Sequence, residues 1–258
     1  MMNKREQVKI ARELLDSFNL PDETVQELLE SPVDKVRSLT RKFLEKKAQE
    51  EDRLLHMSLY EKQLWRKGVS LVAGVDEAGC GPLAGPVIAA AVILPQDCFL
   101  WGIDDSKKLS AKKRLILEQE IKEKALCWMI FGVNHRYIDR YNILQARLIA
   151  MRKAINRLPC APEHLLIDGN MALSIDTPQT LINKGDGKSI SIAAASIMAK
   201  CARDRIMVKM AKLFPEYGFE VNKGYPTAYH RAAIEEFGLS PIHRRSFKIK
   251  KLAEGENK

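Results

Sequence analysis

The chain has 258 residues, 46% of them hydrophobic, and a formal net charge of +9. That length suits one domain of ordinary size or one domain with an appendage, and the apolar content suffices for a buried core. No apolar run approaches the roughly 18 uncharged residues of a membrane span, which excludes a spanning segment, and the charged N-terminus MMNKREQVKIARE argues against a secretory leader.

The five cysteines, Cys80, Cys98, Cys127, Cys160 and Cys201, are widely spaced with no CxxC pair. They suggest neither a zinc site nor a disulfide framework, so a reducing cytoplasm is the expected location. The charge is uneven. Residues 1–70 hold 14 Lys/Arg against 13 Asp/Glu, whereas the remaining 188 residues hold 28 against 20. A basic body of this kind points to an anionic partner, nucleic acid first, with a solvated basic surface as the plainer alternative.

In chain order, residues 1–67 predict helix throughout, with apolar positions at helical spacing in VKIARELLDSF and VDKVRSLTRKFLEKKAQEEDRLL. Pro21 lies near a first helical turn, with Asp22 and Glu23 beside the N-terminal dipole, and Pro32 marks a second boundary. This segment reads as a helical extension, and residues 68–258 as the main domain with a helical segment near the C-terminus. From Leu71 the pattern changes. LVAGVD and PVIAAAVIL read as strands and CWMIFGVN (127–134) as a third, in a meander. A helix with Ser110 as N-cap lies between the second and third strands, and an amphipathic helix covers about 138–158. HLLID (164–168) and QTLINKGD (179–186) read as further strands, residues 189–214 as a helix rich in small residues, and KGYPTAYHRAAIEEFG as a turn and short helix. The order argues an α/β fold with a mixed sheet and helices packed on it.

Acids in apolar surroundings are costly unless compensated. Four of them, Asp76, Glu77, Asp168 and Asp186, stand at or just beyond the C-terminal ends of predicted strands, where sites gather in open α/β sheets. Brought together they would need cations, and hard oxygen donors suit Mg2+ or Mn2+. Two such ions about 4 Å apart form the usual arrangement for in-line displacement at phosphate. Singly, Asp168-Gly169-Asn170 and Asp186-Gly187 also read as simple turns. Adjacent strand residues face opposite ways, so Asp76 and Glu77 share a cluster only if the strand ends or bends between them, which Gly74 and Gly79 would permit.

Two phosphate-loop patterns are incomplete. Gly79-Cys80-Gly81 with Gly85 resembles a dinucleotide fingerprint, but Pro82 and Pro86 intervene and a strand follows where a helix is required. GDGKS (185–189) resembles the end of a P-loop, yet the glycine required five positions before Gly187 is Ile182; a non-standard phosphate loop stays open here.

Taken together, GVDEAGCGPLAGPVIAAAVIL, DSKKLS (105–110), LLIDGN (165–170), INKGDGKSISIAAASIMAKCARDR (182–205), NKGYPTAYH (222–230) and HRRSF (243–247) resemble the type 2 ribonucleases H, and among them the bacterial ribonuclease HII family. The likeness runs over about residues 60–248 in one uninterrupted order. It implies an RNase H-like fold with a mixed five-stranded sheet, and cleavage of RNA in RNA–DNA hybrids. It also implies incision on the 5′ side of single ribonucleotides embedded in duplex DNA, leaving a 3′-hydroxyl and a 5′-phosphate. The family's four acids fall on Asp76, Glu77, Asp168 and Asp186, with Asp76 as the bridging ligand of two Mn2+ or Mg2+ ions. Asp186, with the helical N-terminus, favours HII over the related HIII, which usually carries glutamate there.

The resemblance also assigns substrate contacts. The turn Gly79-Cys80-Gly81 would sense the 2′-hydroxyl through backbone groups, and Tyr225 would stack on the sugar beside the junction. Ser106 and Lys107 would meet phosphates, as would Lys184 or Arg203. Cys80 departs from the arginine usual at that position. A monomer with no membrane partner is expected. Competing hypotheses are a basic nucleic-acid-binding module with a degenerate site, and a nucleotide-binding enzyme built on GDGKS.

Overall fold

The structure, a computed structural model, describes residues 3–16, 18 and 20–248. Residues 249–258, the end of the predicted main domain, lie outside the described residues.

The first helices follow the helical spacing of their apolar residues, and the first of them also has a side-chain cap. α1 (Lys4–Leu14) opens with a capping box, in which the Glu6 amide donates to Asn3 Oδ1 and the Asn3 amide donates to the Glu6 carboxylate. α2 (Asp22–Leu29) follows Pro21, and α3 (Asp34–Met57) carries the charged run. Ala11, Val33 and Val36 make a small core with Val8 and Leu28, and Phe18 stacks on Phe43. The chain divides into two compact units, Met1–His56 and Met57–Lys258. α4 (Leu59–Trp65) therefore belongs to the second unit, eleven residues ahead of the boundary read from the sequence.

In the second unit Tyr60, Leu64 and Trp65 of α4 pack on Val72, Leu166, Ile182 and Ile192. Strands β1 (Val72–Ala78), β2 (Val87–Ile93), β3 (Cys127–Val133), β4 (His164–Asp168) and β5 (Gln179–Ile182) form one five-stranded sheet in the order β3-β2-β1-β4-β5. The first three pair antiparallel, and β4 and β5 join β1 in parallel, so the sheet is mixed as expected. α5 (Ala111–Lys124) lies between β2 and β3 and is capped by Ser110.

β2 is apolar at every position because both faces of the sheet are covered. On one face Val87, Ala89, Ala91 and Ile93 pack with Ile138, Ala146, Ala150 and Met151 of α6 (His135–Asn156). Asn142 interrupts α6 with a φ of 72° and caps its second half, accepting from the Gln145 amide. On the other face lies α7 (Ile190–Leu213), with residues 190–199 buried without exception bar the partly exposed Lys200 that follows. Its small residues let the backbone touch the sheet. A Cβ on Gly74 would stand 2.0 Å from the Ser191 carbonyl carbon, so only glycine fits there. α8 (Phe219–Asn222) and α9 (Ala228–Phe237) complete the C-terminal part. Among the described residues no helix is long and apolar enough to cross a membrane.

Candidate active site

The four acids lie at one end of the sheet. β1 stays paired through Ala78, with Asp76 opposite Ala90 and Glu77 opposite Ala89, so the bend that would bring both acids to one face does not occur between them. Strand alternation turns the two side chains apart, yet the charge of Asp168 on the neighbouring β4 reaches both, so they share a cluster without the expected bend. Asp76 faces α7, where Ser196 hydrogen-bonds its carboxylate and is itself 3.0 Å from Ser106 Oγ. Glu77 faces α6. Its Oε2 lies 2.9 Å from Arg147 Nε, and its Oε1 accepts from the Cys80 thiol at 3.4 Å. The Arg147 N–H is not aimed at Oε2, so this is a charge contact without an aligned hydrogen bond.

Asp168 ends β4, and its Oδ1 accepts from the Gly185 amide at 2.6 Å. That bond ties the strand to the 3-10 turn Gly185–Gly187, which carries Asp186 beyond the end of β5. Lys107 Nζ stands 3.2 Å from Asp186 Oδ2 and 3.7 Å from Asp105. The charges are felt mutually. Burial, then the neighbouring Glu77 and Asp168, push Asp76 well above the usual carboxylate range. Burial raises Glu77 despite Arg147, and raises Asp186 despite Lys107. Among the described residues no three His, Cys, Asp or Glu side chains converge as a ready metal cage. The donor set is nonetheless all carboxylate oxygen with excess negative charge and a buried Glu77 Oε2 lacking an aligned donor, which is chemistry that fits a hard divalent cation.

The glycine turn after β1 is held from beneath by two buried arginines. Arg244 donates to the carbonyls of Gly79, Cys80, Gly85 and Pro86, and Arg203 to those of Ala84 and Pro86. Burial, then the like charge of Arg203, lowers Arg244 to about 9. Arg203, a phosphate contact in the sequence reading, is fully buried on carbonyls and so props the turn. Tyr225 is 42% exposed and flanks the turn, its Cε1 3.8 Å from where a Cβ on Gly81 would stand. His230, buried and 3.0 Å from His243, contacts the Tyr225 carbonyl. Ser106 is buried against Ser196, Lys107 reaches the acids, and Lys184 is exposed with a φ of 54°.

The sequence reading missed Arg147, Ser196 and Arg244. Arg147 is one of many basic residues in an amphipathic helix, and Ser196 is one small residue in a run of them. Ser196, within the 182–205 motif, and Arg244, within HRRSF, stood in motifs, and Arg147 in none. With arginine absent at Cys80, the cation beside Glu77 comes from α6, and the thiol turns toward Glu77; burial, then Glu77, pushes it up to about 12.

The phosphate-loop alternative fails for a physical reason. The N-terminus of α7 is already filled by Glu61 of α4, whose Oε1 accepts from Ser189 Oγ at 2.6 Å and from the Ser191 amide at 3.0 Å. A phosphate would have to displace a fully buried carboxylate.

Comparison with known proteins bears on the sequence and the fold. The sequence profile of the Ribonuclease HII family matches residues 73–250. The ribonuclease HII of Bacillus cytotoxicus is 48% identical over 244 residues, covering 93% of this chain and 94% of that protein. That of Clostridioides difficile is 50% identical over 206 residues, covering 80% and 81%. The ribonuclease H2 of Pyrococcus horikoshii superposes with a TM-score of 0.61 at 26% identity, over 69% of this chain and 94% of that one. The Archaeoglobus fulgidus RNase HII, solved as a complex with PCNA, gives 0.62 at 25% identity, over 71% and 98%. Its match to the family profile, its identity to these relatives and its mixed sheet place this chain in the ribonuclease HII family.

Proposed function

We propose that this ribonuclease H both cleaves the RNA strand of RNA–DNA hybrids and incises duplex DNA 5′ of a single embedded ribonucleotide, leaving a 3′-hydroxyl and a 5′-phosphate. Asp76, Glu77, Asp168 and Asp186 would hold two divalent ions, Mg2+ or Mn2+. When bound, such ions activate the attacking water and stabilise the leaving oxygen. The observation that carries the reading is the gathering of four carboxylates at the ends of β1 and β4 and in the turn after β5, tied together by the Gly185 amide on Asp168.

The chain's own residues do the rest. Ser196 orients the Asp76 carboxylate, and the Gly185 amide orients Asp168. Arg244 and Arg203 turn the carbonyls of the 79–86 segment inward, which leaves the Gly79-Cys80-Gly81 turn to meet a ribose on its other side. Tyr225 supplies an exposed ring beside that turn. Lys107 brings an ammonium, 76% exposed, to the acid cluster where a phosphate would arrive. We take the enzyme to work as a cytoplasmic monomer on duplexes, without sequence readout.

The test is a duplex carrying one ribonucleotide, incubated with enzyme and either Mn2+ or Mg2+. A nick directly 5′ of the ribonucleotide is expected. An intact duplex under both metals would sink the reading and favour a binding module with a degenerate site.

A further inference from the structure

We propose that Arg147 is the resident counter-cation of Glu77, and that a divalent ion reaches this carboxylate by exchange with the guanidinium, so that Arg147 sets the metal affinity of the cluster. The inference rests on the metal reading above and goes beyond it by naming a residue outside the four acids.

Three observations carry it. First, the contact is close and largely dehydrated: Nε is 2.9 Å from Oε2, and the two side chains are 19% and 13% exposed. Second, it is electrostatic without an aligned hydrogen bond, so Glu77 gives up little directional bonding when it turns away. Third, the seat is built for this guanidinium. Its Nη2 donates to the Asp168 carbonyl at 3.0 Å, and Gly169, with φ +102°, leaves the space that a Cβ would fill 2.9 Å from Nη2. The anchor on Asp168 holds the cation beside the cluster whether or not Glu77 stays with it.

The acids then differ in what opposes a metal. Asp76 has a neutral hydroxyl on it, and Asp168 a backbone amide. Asp186 has Lys107, on an exposed stem. Glu77 alone has an anchored, buried-side guanidinium, a charge that resists an incoming divalent ion and competes for the same oxygen.

The test is Mn2+ titration calorimetry on the full chain, with thermal unfolding followed in parallel. Arg147→Gln is expected to bind Mn2+ about tenfold more tightly than wild type, and Mn2+ is expected to raise its Tm by more than it raises that of wild type. Arg147→Lys, which keeps a charge and loses the fork, should lie between them. A purely structural role for Arg147 would lower the Tm without enlarging the metal-induced rise. Equal or weaker Mn2+ affinity in both variants, with native circular dichroism, overturns the inference. Should Arg147→Gln not fold, Arg147→Lys decides alone, and wild-type affinity in it overturns the proposal. If wild type binds no Mn2+ that Asp76→Asn abolishes, the metal reading itself fails and the inference with it; if wild type binds and the Arg147 variants do not differ, only the inference fails.

Discussion

On the α7 face of the sheet, Asp76 is enclosed by a helix so close that Gly74 has no room for a methyl group, and its partner is a neutral hydroxyl. On the α6 face, Glu77 lies one residue away and meets a guanidinium, a thiol and partial solvent. Two adjacent carboxylates thus have opposite surroundings. The difference teaches that one side of the cluster is held by packing and the other by exchangeable charge. Packing fixes position without neutralising charge, which is why Asp76 is raised the more strongly of the two.

The largest test of this contrast is Asp76→Asn. It should lower cleavage by about a thousandfold or more, since the proposed function makes its carboxylate an oxygen ligand. Duplex affinity, read by fluorescence anisotropy, should stay within about threefold of wild type. A comparable loss of binding would mean that Asp76 holds the fold rather than the reaction.

Next is Gly74→Ala, which drives a methyl group into the backbone of α7. Overpacking against a main chain that cannot yield should cost about 3 kcal/mol in urea unfolding. A change below about 1 kcal/mol would show that α7 can lift from the sheet, and the contrast between the faces would weaken.

The pH dependence of stability probes the same side. Burial raises Glu61 above the ordinary carboxylate range. Below that range both folded and unfolded chains hold the proton, and its contribution is complete. As pH rises toward the raised folded value, the unfolded chain loses its proton first and stability falls. Glu61→Gln should flatten that fall in urea midpoints compared across pH 4 to 7. An unaltered slope would remove Glu61 as its source.

The smallest effect is expected at Cys80→Arg, on the charged side. A second cation beside Arg147 should tighten duplex binding and steepen its salt dependence by about one unit in log–log slope. An unchanged slope would place the new side chain away from any phosphate.

Much of this was legible in the sequence. β2 was readable because its apolar run is continuous, α5 because Ser110 stands just ahead of it, and α7 because its run of small residues is long. That Asp76, Glu77, Asp168 and Asp186 stand near or just beyond strand ends was readable too. The break at Asn142 was not, since local spacing says nothing of a cap inside a helix. Nor was the assignment of α4 to the second unit, because Glu61 looks like any helical glutamate until Ser189 and Ser191, more than a hundred residues later, are brought to it.

By itself the sequence determined the order of strands and helices and the family to which the chain belongs, because these depend on local periodicity and on motifs that keep their spacing. The tertiary structure alone decided that Asp76 and Glu77 leave the sheet on opposite faces, that Arg203 and Arg244 serve the glycine turn from below, and that the cation beside Glu77 comes from Arg147 on α6. The physical reason is that a charge's partner is chosen by which elements the sheet brings within a few ångströms, and neither composition nor spacing records that.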